Sequence, residues 1–340
     1  MSSVGVIAEF NPFHDGHAEH LRETKKISAC EKIICVMSGN FVQRGEPAVF
    51  DKWHRTKTAL ENGVDIVIEI PVPYVIGGAD FFARASVGLL AATGVVDALS
   101  FGSECGDIAA IESAARVLAE EPPAYKNNLR SALDTGFSFA ASRGTALGAC
   151  LENIPEGLLE KPNNCLAIEY CKALQLLGNP MKIFTTHRKP GGPSATKIRH
   201  EMKTNPVVAA PNQGNPPELD DFSEIFRFLL YTRDFNLGEG LENRFRRMCA
   251  DHFKISDLLN AVKTKRYTYT RLQRAALQII LGISADDMNF FERNGGVQYI
   301  RVLGFRKEST ELLGELTKKA ALPVITHGAA IDDILNSNNG

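Results

Sequence analysis

Val4-Gly5-Val6-Ile7-Ala8-Glu9-Phe10-Asn11-Pro12-Phe13-His14-Asp15-Gly16-His17 is the stretch that decides the fold. Residues 4–10 form a short, β-branched apolar run of strand length, and Asn11-Pro12 then turns the chain into a helix carrying His20, Leu21 and Ile27. A strand that ends where a helix begins offers unpaired backbone N–H groups and the positive end of the helix dipole. His14 and His17 are three residues apart, so both imidazoles can share one helical face, and Gly16 lets the backbone approach a ligand closely. The pattern suits an anion, phosphate first among them. The alternative is a satisfied polar helix cap.

Lys32-Ile33-Ile34-Cys35-Val36-Met37 is a second strand, ending in the turn Ser38-Gly39-Asn40. Strand, helix and strand in this span make a βαβ unit, hence a parallel sheet with ligands at the carboxyl ends of its strands. Phe41-Val42-Gln43-Arg44-Gly45-Glu46-Pro47 reads as a loop holding an Arg and an amide, and Asp51 as the N-cap of a helix that stops at Gly63. Residues 64–70 and 98–101 read as strands three and four, with a helix over 79–93 between them. Residues 107–148 are helical, and Lys161-Pro162-Asn163-Asn164 opens a further helix. Residues 181–186 are a fifth strand. Its basic exit, His187-Arg188-Lys189-Pro190-Gly191-Gly192-Pro193, leads to Ser194, Thr196 and Arg199 at another helix start, a second phosphate-binding constellation or else an ordinary Ser/Thr cap.

At 340 residues two domains are expected, and residues 205–221, with four prolines, read as the linker between 1–204 and 222–340. The formal net charge of −2 gives no global pull toward nucleic acid. The second domain, mainly helical, nevertheless concentrates, between Arg244 and Arg274, the cations Arg244, Arg246, Arg247, Lys254, Lys263, Lys265, Arg266, Arg271 and Arg274 against only Asp251 and Asp257. Cations interleaved with Tyr267 and Tyr269 suit an RNA backbone with stacked bases, the alternative being a solvated basic face. Residues 299–303 and 323–325 are expected to add two short strands, and the end after Leu335 to be frayed. Seven cysteines without a CxxC pair suggest reduced thiols, and no apolar run reaches membrane-spanning length. A cytoplasmic location away from the membrane is therefore expected.

The His14-Asp15-Gly16-His17 turn with Ser194-Ala195-Thr196-Lys197-Ile198-Arg199 resembles the HIGH-type nucleotidyltransferase superfamily. With residues 9–17, 37–47, 101–104, 161–164 and 263–268, the chain is similar to the tRNA(Met) cytidine acetate ligase family. The resemblance implies an α/β fold, a Rossmann-like parallel-sheet nucleotidyltransferase domain followed by a smaller mainly α-helical tRNA-binding domain. It implies an enzyme that activates acetate with ATP, with Mg2+ accompanying the nucleotide, and acetylates the wobble cytidine of elongator tRNA(Met) to N4-acetylcytidine. His14 and His17 would be catalytic. Ile7, Ala8, Glu9, Phe10, Asn11, Pro12, Phe13, His14, Gly16, His17, His20, Gly102, Asn163, Arg188, Lys189, Ser194, Thr196 and Arg199 would bind ATP, with residues 7–10 lining the adenosine. Lys263, Lys265, Arg266, Arg271 and Arg274 would bind tRNA, and no dedicated metal-ligand cluster is expected. The segment between Arg188 and Ser194 is shorter than the family pattern, and the chain is expected to lack a C-terminal extension. Two other readings share these motifs: an adenylyltransferase of a small phosphorylated metabolite, and a non-catalytic RNA-binding protein with a nucleotide site.

Overall fold

In the computed structural model, residues 2–188, 195–204, 216–238 and 240–326 are described. Along the chain the strands are β1 Ser3–Ala8, β2 Lys32–Ser38, β3 Phe41–Val42, β4 Glu46–Pro47, β5 Ile66–Ile70, β6 Ala98–Ser103, β7 Lys182–His187, β8 Ile300–Phe305 and β9 Val324–Ile325. The helices of the first half are α1 Asp15–Ser28, α2 Lys52–Glu61, α3 Val72–Gly77, α4 Ala79–Ala92, α5 Ile108–Glu120, α6 Pro123–Asp134, α7 Phe139–Gly148 and α8 Pro162–Leu176. Those of the second half are α9 Ala195–Thr204, α10 Ser223–Thr232, α11 Leu241–Cys249, α12 Ile255–Val262, α13 Tyr269–Leu281, α14 Ala285–Arg293 and α15 Thr310–Lys319.

Seven strands form one sheet in the order β7-β6-β1-β2-β5-β8-β9. β7, β6, β1, β2 and β5 run parallel, while β8 pairs antiparallel with β5. Alternation along each strand sends side chains to two cores. Ile34, Val36, Ile66, Ile68, Leu99 and Phe101 pack under α4, α5 and α8, whereas Val4, Val6, Ile33, Cys35 and Met37 pack with Leu21 of α1 and Ala59 of α2. Gly5 is required by this closeness, because a Cβ there would meet Leu90 Cδ1 of α4 at 2.6 Å.

The chain leaves β1 for β2 and β5 on one side and later returns to β6 on the other. The crevice at the carboxyl end of β1 is therefore the switch point at which such sheets bind ligands.

Three expectations are revised. The 41–47 segment is a small antiparallel hairpin, β3 with β4, rather than an open loop. The proposed linker ends in a 3-10 turn, Leu219–Phe222, and its residues 205–215 lie outside the described residues, as does the end after Leu335. The second domain does not take in all of 222–340. A separate helical core, built on Phe226, Leu230, Phe245, Leu258, Leu259, Leu272 and Ile279, covers α10 to α13. By contrast α14 packs back on the sheet domain through Met288 beside Gly77 and Glu292 paired with Arg84, and β8 and β9 extend the sheet itself. Long-range strand pairing, which no local pattern encodes, explains the difference.

Candidate nucleotide site

The cavity at the carboxyl end of β1 has a volume of about 530 Å³. Its floor is the strand end and turn, Ile7 to Asn11, followed by His14, Gly16, His17 and His20 of α1. One wall comes from Gly102, Asn163, Thr186 and Arg188. The other comes from Val42, Gln43, Arg44 and Glu46 of the hairpin, and α9 adds Ala195, Thr196 and Arg199.

His14 is the N-cap of α1, and the two histidines cap each other. The Gly16 N–H donates to His14 Nδ1 at 3.1 Å, the His14 N–H donates to His17 Nδ1 at 3.2 Å, and the rings stack with centroids 3.9 Å apart. A neutral ring whose Nδ1 accepts must carry its proton on Nε2. Both rings are held neutral. Burial pushes His17 down to about 3, with His14, Arg188 and His20 adding to the effect; burial and Arg188 push His20 down to about 4 and lower His14 as well. Two Nε2–H donors therefore accompany the helix start in the cavity, and neutral rings provide them without a counter-charge. His20 Nδ1 lies 2.6 Å from Thr186 Oγ1, tying α1 to β7.

The wall opposite the hairpin is built by a reciprocal clasp. Glu104, just past β6, accepts from the Asn163 N–H at 3.3 Å, from Asn163 Nδ2 at 2.6 Å and from the Asn164 N–H at 2.9 Å, a carboxylate capping the N-terminus of α8. Asn164 Oδ1 in turn accepts from the Glu104 and Cys105 N–H groups at 2.8 and 3.1 Å. Asn163 Oδ1 then accepts from Arg188 Nη1 at 3.0 Å, which aims the guanidinium across the mouth of the site. Gly102 leaves room for the arginine stem, since a Cβ would lie 3.3 Å from Arg188 Cγ.

On the hairpin side the Glu9 carboxylate accepts from the Gln43 N–H at 2.6 Å. Burial raises its pKa above the ordinary value, opposed by that N–H and by Arg55, Arg44 and Arg199. Arg55 is fully buried beneath, giving its N–H groups to the carbonyls of Phe50, Glu9 and Gly39, and burial lowers it to about 10. Arg199 Nη1 donates to the Asn11 carbonyl at 2.7 Å and Nη2 to Thr196 Oγ1 at 3.2 Å, fixing α9 over the turn. The Val49 N–H donates to Asn11 Oδ1 at 2.7 Å, so that side chain serves the turn.

A family model described as HIGH Nucleotidyl Transferase matches residues 1–337. The tRNA(Met) cytidine acetate ligase of Thermoanaerobacter sp. (strain X514) is 37% identical over 358 residues, covering 96% of this chain and 88% of that protein. The Clostridium kluyveri (strain ATCC 8527) protein of the same name is 38% identical over 366 residues, covering 96% and 90%. The chain belongs to the tRNA(Met) cytidine acetate ligase family. The crystal structure of Thermotoga maritima TmcAL bound with alpha-thio ATP superposes with a TM-score of 0.89 at 34% identity, covering 99% of this chain and 88% of that one. The α/β architecture of the family is thus the architecture found here.

Of the family-derived ATP residues, Ile7, Ala8, Glu9, Phe10, Asn11, His14, Gly16, His17, His20, Gly102, Asn163, Arg188, Thr196 and Arg199 line the one cavity. Pro12 and Phe13 do not. Phe13 packs against Phe10 and His17, with centroids 5.0 and 5.5 Å away, and so supports the histidine from behind. Lys189 and Ser194 lie outside the described residues. Sequence reasoning missed the lining residues Gln43, Arg44, Glu46, Thr186 and Tyr170, and missed Glu104 as the support of Asn163. Arg44 stood in a segment already singled out; the roles of Thr186 and Tyr170 depend on which strand becomes whose neighbour.

Among the five cations assigned to tRNA, Lys263, Lys265 and Arg266 are exposed on the segment between α12 and α13. Arg271 Nη2 donates to the Leu237 carbonyl at 3.0 Å, and Arg274 Nη1 reaches the Gln43 carbonyl at 3.4 Å, with burial lowering Arg274 to about 10. Arg274 therefore holds the hairpin rather than projecting into solvent. Among the described residues, no group of three or more His, Cys, Asp or Glu could hold a metal ion, and no helix is long and apolar enough to cross a membrane.

Proposed function

We propose that this chain activates acetate with ATP and transfers the acetyl group to N4 of the wobble cytidine of elongator tRNA(Met), acting in the cytoplasm. The observation that carries the reading is the pair of neutral, Nε2-protonated histidines at the start of α1, beside Arg188, in a chain whose relatives are named tRNA(Met) cytidine acetate ligase.

Acetate is a poor acyl donor until its oxygen attacks the α-phosphorus of ATP, giving acetyl-adenylate and pyrophosphate. Charge grows on the phosphoryl oxygens in that transition state, and preorganised donors there lower the barrier more than any covalent step. His14 and His17 supply such donors together with the α1 N-terminus. Arg188, steered by Asn163, contributes a cation, and Thr196 with Arg199 suits the departing pyrophosphate. The adenosine would lie along Ile7 to Phe10 and Gly102. Magnesium would arrive with the triphosphate. The donor-rich phosphate side suits an ion that keeps its water and phosphate ligands.

In this reading the helical unit α10 to α13 receives the RNA, with Lys263, Lys265 and Arg266 neutralising phosphates. A phosphorylated metabolite as acceptor would leave the exposed cations Lys263, Lys265 and Arg266 without a role. The deciding experiment is acetate-dependent exchange of labelled pyrophosphate into ATP, followed by nucleoside analysis of tRNA(Met). Exchange together with N4-acetylcytidine establishes the ligase; absence of exchange with and without tRNA refutes it.

A further inference from the structure

The two walls of the cavity differ in what they adjoin. The Arg188 wall offers donors and a cation to the triphosphate. The hairpin wall is the side that meets the helical unit: Gln273 Nε2 of α13 donates to Glu46 Oε1 at 2.8 Å, Arg274 reaches the Gln43 carbonyl, and Gly45 lies so close that a Cβ would meet the Arg274 backbone nitrogen at 2.5 Å. A nucleoside delivered from that unit enters along the hairpin.

Behind the hairpin stands Glu9. Its Oε1 takes the Gln43 N–H, Oε2 makes no hydrogen bond among the described residues, and the residue lines the cavity. Around it the charged and titratable groups are Arg44 and Glu46 of the hairpin segment, Arg55 of α2, Arg199 of α9, Tyr170 of α8, and His14 and His17 of α1. Glu46 is tied to Gln273 at the junction with the helical unit, whereas Glu9 stands just past the end of β1, where burial raises its proton affinity.

We propose that Glu9 is the base that takes the N4 proton of the tRNA cytidine during acetyl transfer. This rests on the acetate ligase reading above. The N4 lone pair attacks the acetyl carbonyl carbon, and a C–N bond forms. The mixed-anhydride C–O bond breaks, its electron pair leaving on the phosphate oxygen of AMP, and the N4 proton passes to Glu9 Oε2, from which water removes it. A buried carboxyl whose proton affinity has been raised is suited to accept a proton near neutral pH.

The test separates the half-reactions in wild type, Glu9→Gln and Glu9→Asp. Adenylate formation is read by acetate-dependent pyrophosphate exchange, and transfer by single turnover of preformed labelled acetyl-adenylate onto tRNA(Met). Removing a general base typically costs about 10²- to 10⁴-fold. Glu9→Gln is expected to depress transfer at least about a hundredfold more than exchange, with Glu9→Asp recovering part of it. Equal losses in both half-reactions, or transfer at the wild-type rate, overturn the assignment. Should Glu9→Gln not fold, the wild-type pH profile of single-turnover transfer decides: a rising acid limb supports Glu9, and a flat profile overturns it. Wild-type protein without any acetate-dependent exchange would instead sink the ligase reading itself.

Discussion

Gln273 on α13 donates from Nε2 to Glu46 Oε1 at 2.8 Å, so a side chain of the helical unit holds a residue that lines the nucleotide cavity. Cutting this tie should affect the step that uses both parts. Gln273→Ala is expected to lower acetyl transfer by roughly three- to tenfold more than pyrophosphate exchange, the kinetic scale of losing one hydrogen bond of about 1 kcal/mol. Equal fold-losses in the two half-reactions of the variant would show that the contact is only structural.

Gly45 makes the same junction from the other partner. It has φ near +86° and no room for a Cβ against the α13 backbone, so Gly45→Ala must displace either the hairpin or the helix. A loss of about 1–3 kcal/mol in denaturant unfolding is expected, together with impaired transfer. An unchanged unfolding midpoint would mean that the two parts can separate without cost.

His17→Ala should remove a donor made for the α-phosphate. Loss of one such donor typically costs about 10²- to 10³-fold, and that is the expected fall in acetate-dependent exchange, with tRNA affinity in a filter-binding assay nearly retained. Parallel loss of tRNA affinity would contradict separate nucleotide and RNA surfaces.

Stability should carry the mark of the same histidines. His17 and His20 fold with pKa values near 3 and 4, below the unfolded 6.5. Between those values the unfolded chain binds protons that the native chain refuses, so stability is full above pH 6.5 and is lost as pH falls toward about 4. Urea midpoints should therefore drop from pH 7 to pH 5, and drop less in His20→Gln. Identical pH dependence in the two proteins would remove His20 from this linkage.

Lys263→Ala with Lys265→Ala tests the RNA footprint. Two released phosphate contacts should reduce the slope of log affinity against log salt by roughly 1.4 to 1.8, with pyrophosphate exchange preserved. An unchanged slope would take both lysines out of the interface.

How much of this was legible in the sequence follows the range of the interactions. The β1 turn, the His14–His17 cap and the Asp51 cap of α2 are contacts within a few residues, and their residue types announce them. That ligands bind at the carboxyl ends of the strands followed from the βαβ order, whereas the switch point itself depends on β6 pairing with the far side of β1. What the sequence did not disclose depends on distant partners. The Glu104–Asn163 clasp joins residues 59 apart, and the Gln273–Glu46 contact joins residues 227 apart. In the same way β8 reads as a strand, but nothing local says that it will lie against β5 and end the helical unit at α13.

That return of β8 gives the helical unit two anchors. The chain departs from the sheet domain after α9 and comes back to it at α14 and β8, so α10 to α13 form an inset held at both ends and clamped at the hairpin. An appended domain on a single tether would sample many orientations, and each productive encounter would lose that rotational entropy anew. An inset has already lost it on folding. A tRNA seated on the helices would find its cytidine's target carbonyl at a fixed bearing, so proximity is supplied by topology rather than by a closing motion.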